Sequence, residues 1–229
     1  MLQKVMQDLH GDHLMARDGE IGSVQDVYFD DAQWAVRYLV VDTGGWLPGR
    51  RVLISPASVA PRQSGGDAIR VELTKEQVEG APDIGQDPPI SRMLEEAHAR
   101  HYGYPFYWTG PYLWGPQAIP AATPPAETRE GRALRERAEQ RARESHLRSS
   151  AEVIGYRIRA ADGEIGHVED FVVDNENWAI ADMVVDTRNW LPGKKVLVPP
   201  SAISDIDWDA GEVSVRLTRD ELKQAPEAH

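Results

Sequence analysis

The sequence says the same thing twice. Gly19-Glu-Ile-Gly-Ser-Val-Gln-Asp26 reappears as Gly163-Glu-Ile-Gly-His-Val-Glu-Asp170, and Val40-Val-Asp-Thr-Gly-Gly-Trp-Leu-Pro-Gly49 as Val184-Val-Asp-Thr-Arg-Asn-Trp-Leu-Pro-Gly193. The offset is 144 residues in both cases. It still holds at Val71-Glu-Leu-Thr74 against Val215-Arg-Leu-Thr218 and at Pro82 against Pro226. A register kept that far without an insertion means one compact unit, duplicated. Each copy of roughly 75 residues has a marginal core on its own, which predicts that the two copies lean on each other.

The repeat reads as β. In the first copy the predicted strands are His13–Arg17, Ile21–Phe29, Trp34–Asp42, Arg50–Ile54 and Ala68–Leu73. In the second they are Tyr156–Arg159, Ile165–Val173, Trp178–Asp186, Lys194–Val198 and Glu212–Leu217. These runs are rich in β-branched and aromatic residues and are bounded by turn clusters such as Asp30-Asp-Ala-Gln33 and Ser64-Gly-Gly-Asp67. Asp-Gly at 18–19 and again at 162–163 is a hairpin signal, because both residue types tolerate positive φ. Several short antiparallel strands in so few residues favour a small closed barrel, which leaves no exposed edge. Thr74-Lys-Glu-Gln77 and Thr218-Arg-Asp-Glu221 are capping boxes that open a short helix at the end of each copy, and Pro82 and Pro226 stop them.

The predicted domains are 1–83 and 150–229, joined by a linker over 84–149. Ser91 caps a predicted short helix through Arg100. Then come seven aromatic side chains, Tyr102, Tyr104, Phe106, Tyr107, Trp108, Tyr112 and Trp114, interleaved with Gly and Pro that forbid regular helix or strand. A Pro-rich connector over Pro120–Pro125 leads to a charged helix predicted over Arg129–Ser145, a solvated spacer.

At Gly-Glu-Ile-Gly-x-Val-x-Asp followed by Val-Val-Asp and Val-Leu-Ile/Val-x-Pro, the repeat resembles the PRC-barrel family. The matching residues are Gly19, Ile21, Gly22, Val24, Asp26, Val40, Val41, Leu53 and Pro56 with their equivalents 144 residues on. That fold occurs in the cytoplasmic domain of the photosynthetic reaction centre H subunit and in a bacterial ribosome-maturation factor. The chain looks like bacterial tandem PRC-barrel proteins, which carry Trp-Leu-Pro-Gly in each copy and an aromatic linker. The resemblance implies a mainly β chain of two small PRC-type antiparallel β-barrels with short helices and an aromatic and helical linker. It supplies no activity, because the family shares no catalytic residues.

The motifs that carry chemistry elsewhere read here as structure. Gly19-Glu-Ile-Gly22 looks like half a nucleotide-binding loop, but a strand follows it rather than a helix, so its glycines serve a turn and a close approach at a barrel corner. Asp26, Asp30 and Asp42 recur at Asp170, Asp174 and Asp186 with no His, Cys, Ser or Lys recurring beside them, which fits turn-capping carboxylates rather than acid–base catalysis. His98 with His101, and His10 with His13, have a spacing that can chelate but no carboxylate or Cys ligand at convincing spacing. His167 stands where the first copy has Ser23, so it belongs to no shared mechanism. No catalytic residue, cofactor or metal set is read from the sequence. Where the copies diverge, as at Arg37-Tyr38 against Ala181-Asp182, the residues either serve copy-specific contacts or have drifted.

The candidate interface residues are therefore aromatic: Tyr102, Tyr104, Phe106, Tyr107, Trp108, Tyr112 and Trp114 of the linker, with the repeated Trp46 and Trp190. The rings either pack across the barrels or dock a partner or a second subunit. Trp46 and Trp190, beside Leu-Pro-Gly, either hold a hairpin base or reach the other barrel. The net charge of −12 argues against general nucleic-acid binding, although the stretch from Ala126 to Arg148 carries seven Arg against five Glu. No run approaches a membrane span or a signal peptide, and there is no cysteine. The expectation is a non-catalytic, cytoplasmic scaffold or adaptor that binds protein and is compatible with a homodimer. A ribosome- or RNA-associated factor is the alternative, by family analogy.

Overall fold

The computed structural model describes residues 3–60, 68–85, 90–121, 146–187 and 194–228. In chain order the strands are β1 (Gln3–Val5), β2 (His13–Ala16), β3 (Gly19–Asp30), β4 (Ala35–Asp42), β5 (Arg51–Ile54) and β6 (Ile69–Arg70). They continue with β7 (Leu147–Ser149), β8 (Arg157–Ala160), β9 (Gly163–Asp174), β10 (Ile180–Asp186), β11 (Lys195–Val198), β12 (Ile203–Asp207) and β13 (Glu212–Val215). Helices α1 (Lys75–Glu79), α2 (Arg92–Tyr102), α3 (Ser150–Val153) and α4 (Arg219–Lys223) are short. Two units result. One comprises Asp8–Arg148 with Glu176–Trp178, and the other comprises Met1–Gln7, Ser149–Asn175 and Ala179–His229. The predicted turn at Ser64–Asp67, most of the Pro-rich connector, the predicted helix Arg129–Ser145 and Trp190 lie outside the described residues.

The strand order is β5-β4-β3-β2-β6 in the first-copy unit and β11-β10-β9-β8-β13-β12 in the second. All these pairings are antiparallel except β2 with β6 and β8 with β13, which are parallel. That departs from the expected all-antiparallel ladder. β6 follows β2 only after three intervening strands, which give the chain the length that a parallel neighbour requires. The predicted strand at Ala68–Leu73 is only the two-residue β6, and Val59 bridges Val71 where the second copy pairs Ile203 with Val215. Buried side chains of β3 and β4, among them Val27, Phe29, Leu39 and Val41, fill the first core; Ile165, Val168, Phe171, Met183 and Val185 fill the second.

The duplication extends to single hydrogen bonds. The Asp18 carboxylate accepts from Lys75 N at 2.9 Å, and Asp162 accepts from Arg219 N at 2.8 Å, which ties each Asp-Gly hairpin to the start of its helix. Both capping boxes form, at Thr74 with Gln77 and at Thr218 with Glu221. Trp34 and Trp178 were expected to open strands. Both instead sit in the turn before β4 and β10 with positive φ, at 52° and 62°. Asp30 caps the first of these turns, its carboxylate accepting from the amides of Ala32 and Gln33. The Trp34 ring stacks on Phe29 with centroids 5.7 Å apart, an apolar contact that helps to offset the unfavourable backbone.

Gly22 and Gly166 mark the tightest approach. A Cβ on Gly22 would lie 1.9 Å from the Asp42 carbonyl oxygen, and one on Gly166 1.8 Å from that of Asp186. Their φ values of 151° and 155° are also ones that other L-residues rarely adopt. We expect Gly22→Ala to lower stability by at least ~2 kcal/mol, since backbone must move to admit the methyl group. Urea unfolding measures this, and an unchanged midpoint contradicts the packing described.

The sequence gives no strand signal for β1 or β7. β1 pairs antiparallel with β9 of the second-copy unit, with Gln3 opposite Asp174, Lys4 opposite Val173 and Val5 opposite Val172. β7 pairs with β3 of the first-copy unit. Gln3 and Leu147 are 144 residues apart, so the segment that precedes each copy completes the sheet built by the other. Gln7 fastens the first of these: its backbone amide donates to the Asp170 carboxylate at 3.1 Å, and its Nε2 to the Glu169 carbonyl at 3.0 Å. At the second, Arg148 Nε donates to Asp31 Oδ2 at 2.7 Å, and Leu147 enters the core. Because the chain has no cysteine, the register can be read directly. Lys4→Cys with Val173→Cys places two thiols on facing residues, within the reach of a disulfide. Mild oxidation should give one intrachain disulfide, seen as a mass loss of about 2 Da with no free thiol. Thiols that stay titratable contradict the pairing.

Candidate functional site

The linker builds its site on the outer face of β3 and β4. Arg37, third in β4 and at a β-bulge between Val36 and Tyr38, has no exposed surface. Its Nη1 donates to the Leu113 carbonyl at 2.7 Å, and its Nη2 to Gln33 Oε1 at 2.6 Å and to Asp30 Oδ2 at 3.4 Å. The guanidinium carbon lies 4.0 Å from the centre of the Tyr107 ring and 4.8 Å from that of Trp114. The linker chain thus wraps a buried cation, with its backbone on one side and two rings on the others. Burial lowers the Arg37 pKa, while Tyr107 and Asp30 act in the opposite sense.

A second cation sits behind the first. Ser91 caps α2, accepting from Leu94 N. The helix carries Arg92, Glu95 and His98 on its buried face. Arg92 Nη1 donates to the Tyr107 hydroxyl at 3.0 Å and lies 3.1 Å from Glu95 Oε1, and the guanidinium covers the Trp108 ring at 4.2 Å. The Tyr107 hydroxyl in turn donates a hydrogen bond to Glu95 Oε2. Burial, and then the Glu95 charge, hold the Tyr107 hydroxyl well above its ordinary pKa, so it stays a donor. Burial opposes the Arg92 charge, but Tyr107 and Glu95 outweigh it and hold that pKa up. Two guanidinium groups and two carboxylates, joined through one phenol, leave each buried charge with an opposite neighbour.

The candidate aromatic residues divide by this network. Phe106, Tyr107 and Trp114 are buried, and Trp114 Nε1 donates to the Asn177 carbonyl of the same unit at 2.7 Å. Trp108 is half-buried and stacks on Phe106 with centroids 4.9 Å apart. Tyr102 and Tyr104, half-buried, stack on one another at 5.4 Å. Tyr112 stands out, 54% exposed. Trp46 is half-buried: its Nε1 donates to the Ile21 carbonyl at 2.5 Å, and Lys75 Nζ lies 4.5 Å above the ring, beside an open cleft of about 510 Å³. The void under the clamp, among Tyr38, His98, Tyr104 and Tyr107, is about 20 Å³, room for one water and no larger ligand.

Sequence reasoning named the rings and missed what they close on. Arg92, Glu95 and His98 look like ordinary helix charges when read alone. The one available signal was Arg37 against Ala181, where drift and a copy-specific contact were equal in appearance. His98 Nε2 faces the Leu53 carbonyl at 2.8 Å, and His101 Nε2 the Gln77 carbonyl at 2.7 Å. Both rings fasten α2 to the barrel side of the unit.

Both duplicated segments match one family description. The model of the PRC-barrel domain matches residues 7–78 and 146–222. The chain belongs to the PRC-barrel family. Its barrels are members of a family known as protein-interaction modules and generally non-catalytic. A search of curated proteins returns no match. No helix among the described residues is long and apolar enough to cross a membrane.

His98 makes the clamp sensitive to acid. Burial lowers its pKa from 6.5 to about 4, with the Leu53 hydrogen bond acting the other way. Above pH 6.5 both folded and unfolded chains hold it neutral, and its contribution is complete. As pH falls from 6.5 towards 4 the unfolded chain gains a proton that the folded one refuses, so stability falls. At pH 4.5 the wild type should have lost about 2–3 kcal/mol relative to pH 7.5 that His98→Gln does not lose. Urea unfolding of both proteins at the two pH values checks this, and parallel losses contradict it.

Proposed function

We propose that this PRC-barrel protein is a non-catalytic, cytoplasmic scaffold or adaptor that binds another protein through the outer surface of its linker. One observation carries the reading. Among the described residues, the large hydrophobic side chains that remain exposed are Met93 at 79%, Tyr112 at 54% and Ile119 at 58%, and all three lie on the linker, none on a barrel strand. The same segment buries Phe106, Tyr107 and Trp114, and two buried ion pairs, Arg92–Glu95 within it and Arg37–Asp30 beneath it, hold its path. A linker that served only as a tether has no need of such fixing. A rigid segment that keeps apolar side chains in water suits a partner that covers them, because little ordering entropy is left to lose on binding.

The test uses the intact chain. Met93→Ser, Tyr112→Ser and Ile119→Ser together remove the exposed apolar groups without touching the buried network. The triple variant should unfold at the wild-type temperature yet lose specific protein capture from native cells in high salt, by tenfold or more in quantitative pull-down. Equal capture by both proteins overturns the reading. Capture that disappears on nuclease treatment supports an RNA-associated role instead, and a mass shift between wild type and variant in light scattering identifies a second copy of this chain as the partner.

A further inference from the structure

The second copy holds a side-chain cluster that the first cannot form. His167 and Glu169 are two residues apart on β9, with Glu169 at a β-bulge between Val168 and Asp170 that interrupts the strict alternation of faces. Asp186 on β10 stands opposite His167 in the ladder. His167 Nε2 lies 3.8 Å from Glu169 Oε2 and 3.9 Å from Asp186 Oδ2, and the three ligand atoms lie within 4.8 Å of one another. Asp186 is 1% exposed, whereas the other two side chains remain open to solvent on one side. Lys195 Nζ takes the other oxygen of Glu169, Oε1, at 2.8 Å, and so leaves Oε2 turned towards the histidine.

We infer that this cluster is a binding site for one first-row divalent cation of the zinc type, with His167 Nε2, Glu169 Oε2 and Asp186 Oδ2 as its protein ligands. The donor set is one imidazole nitrogen and two carboxylate oxygens, the mixture that zinc accepts and that a hard cation such as magnesium does not favour. Ligand atoms around a tetrahedral zinc ion at ~2.1 Å stand about 3.4 Å apart. Bringing the present separations, 3.8 and 3.9 Å from the histidine and within 4.8 Å between all three atoms, to that value takes shifts of up to about 1.4 Å, within reach of rotation of the two solvent-facing side chains. With a neutral imidazole, two carboxylates and one lysine leave a local charge of −1, which favours a cation. A ring of three protein ligands also leaves one position for water.

The duplication supplies an independent control. At the equivalent places the first copy has Ser23, Gln25 and Asp42. The Asp is common to both copies and belongs to the fold, as the hydrogen bond from Gly44 N to Asp42 Oδ1 illustrates. The two other positions differ together, each from a side chain that does not bind metal well to one that does. Arg51 stands where Lys195 does, so the flanking cation is kept. The competing account is that His167 is protonated and pairs with both carboxylates as a surface ion cluster.

Calorimetric titration of the full chain with zinc chloride at pH 7.5 separates the two accounts. The site predicts a single saturable event of one equivalent, unaffected by millimolar magnesium. His167→Ser and Glu169→Gln restore the residues that the first copy tolerates at the same positions, so both variants should fold. Each should weaken the event by at least ~10-fold, and His13→Ala should leave it intact. Zinc should also raise the unfolding temperature of the wild type and not that of the two variants. Binding that persists unchanged in His167→Ser, or that never saturates at one equivalent, overturns the proposal.

Discussion

A guanidinium group with no exposed surface lies between the rings of Tyr107 and Trp114, and the first-copy unit is arranged around it. Taking that charge out of water is costly. The cost is offset only while Leu113 supplies a carbonyl, Gln33 and Asp30 supply oxygens, and the two rings present their faces. The linker and the cation therefore require each other. Without Arg37 the Pro- and Gly-rich stretch has no polar anchor for its backbone; without the stretch Arg37 is an ordinary exposed residue on a sheet face. The dependence passes outward through Tyr107 to Glu95 and Arg92 on α2, and through His98 to Leu53 on β5.

The same residue explains why a duplicated chain is not symmetric. The second copy has Ala181 at the place of Arg37 and Asp182 at that of Tyr38. An alanine offers no charge to wrap, and a carboxylate beside it would repel the π-faces that the first copy uses. One copy is thus specialised to hold the linker. The other carries its own divergent pair, His167 and Glu169, on β9 beside β10. Duplication kept the glycine corners and the capped helices and allowed the sheet faces to separate in chemistry.

How far the sequence could be read follows from the range of the interactions. Gly22, Gly166, Thr74 and Thr218 are set by contacts a few residues away or by a pattern repeated at a fixed offset, and their roles were legible. The strand limits were less so: Trp34 and Trp178 carry high β-propensity, yet both take positive φ before their strands, Trp34 in a turn capped by Asp30. β1 and β7 were not legible at all. Three residues such as Gln3-Lys4-Val5 have no periodicity to detect, and only the distant edge of β9 makes them a strand. The linker rings were conspicuous by composition, but their buried partners, Arg37, Arg92 and Glu95, are residue types that composition assigns to the surface.

The exchange of β1 and β7 has a further consequence at the ribosome. β1 is synthesised before the whole of the first copy, yet its partner in β9 follows about 170 residues later. At ordinary elongation rates that is a wait of roughly 10–30 s, during which β1 has no sheet to join. The edge of β3 waits in the same way for β7. On a polysome the neighbouring nascent chains carry the same donors and acceptors at staggered stages of completion. A codon-level pause after the first copy would lengthen the interval in which one chain's β1 meets another chain's finished β9. The fidelity of this fold thus depends on elongation tempo as well as on the stability of the finished sheets.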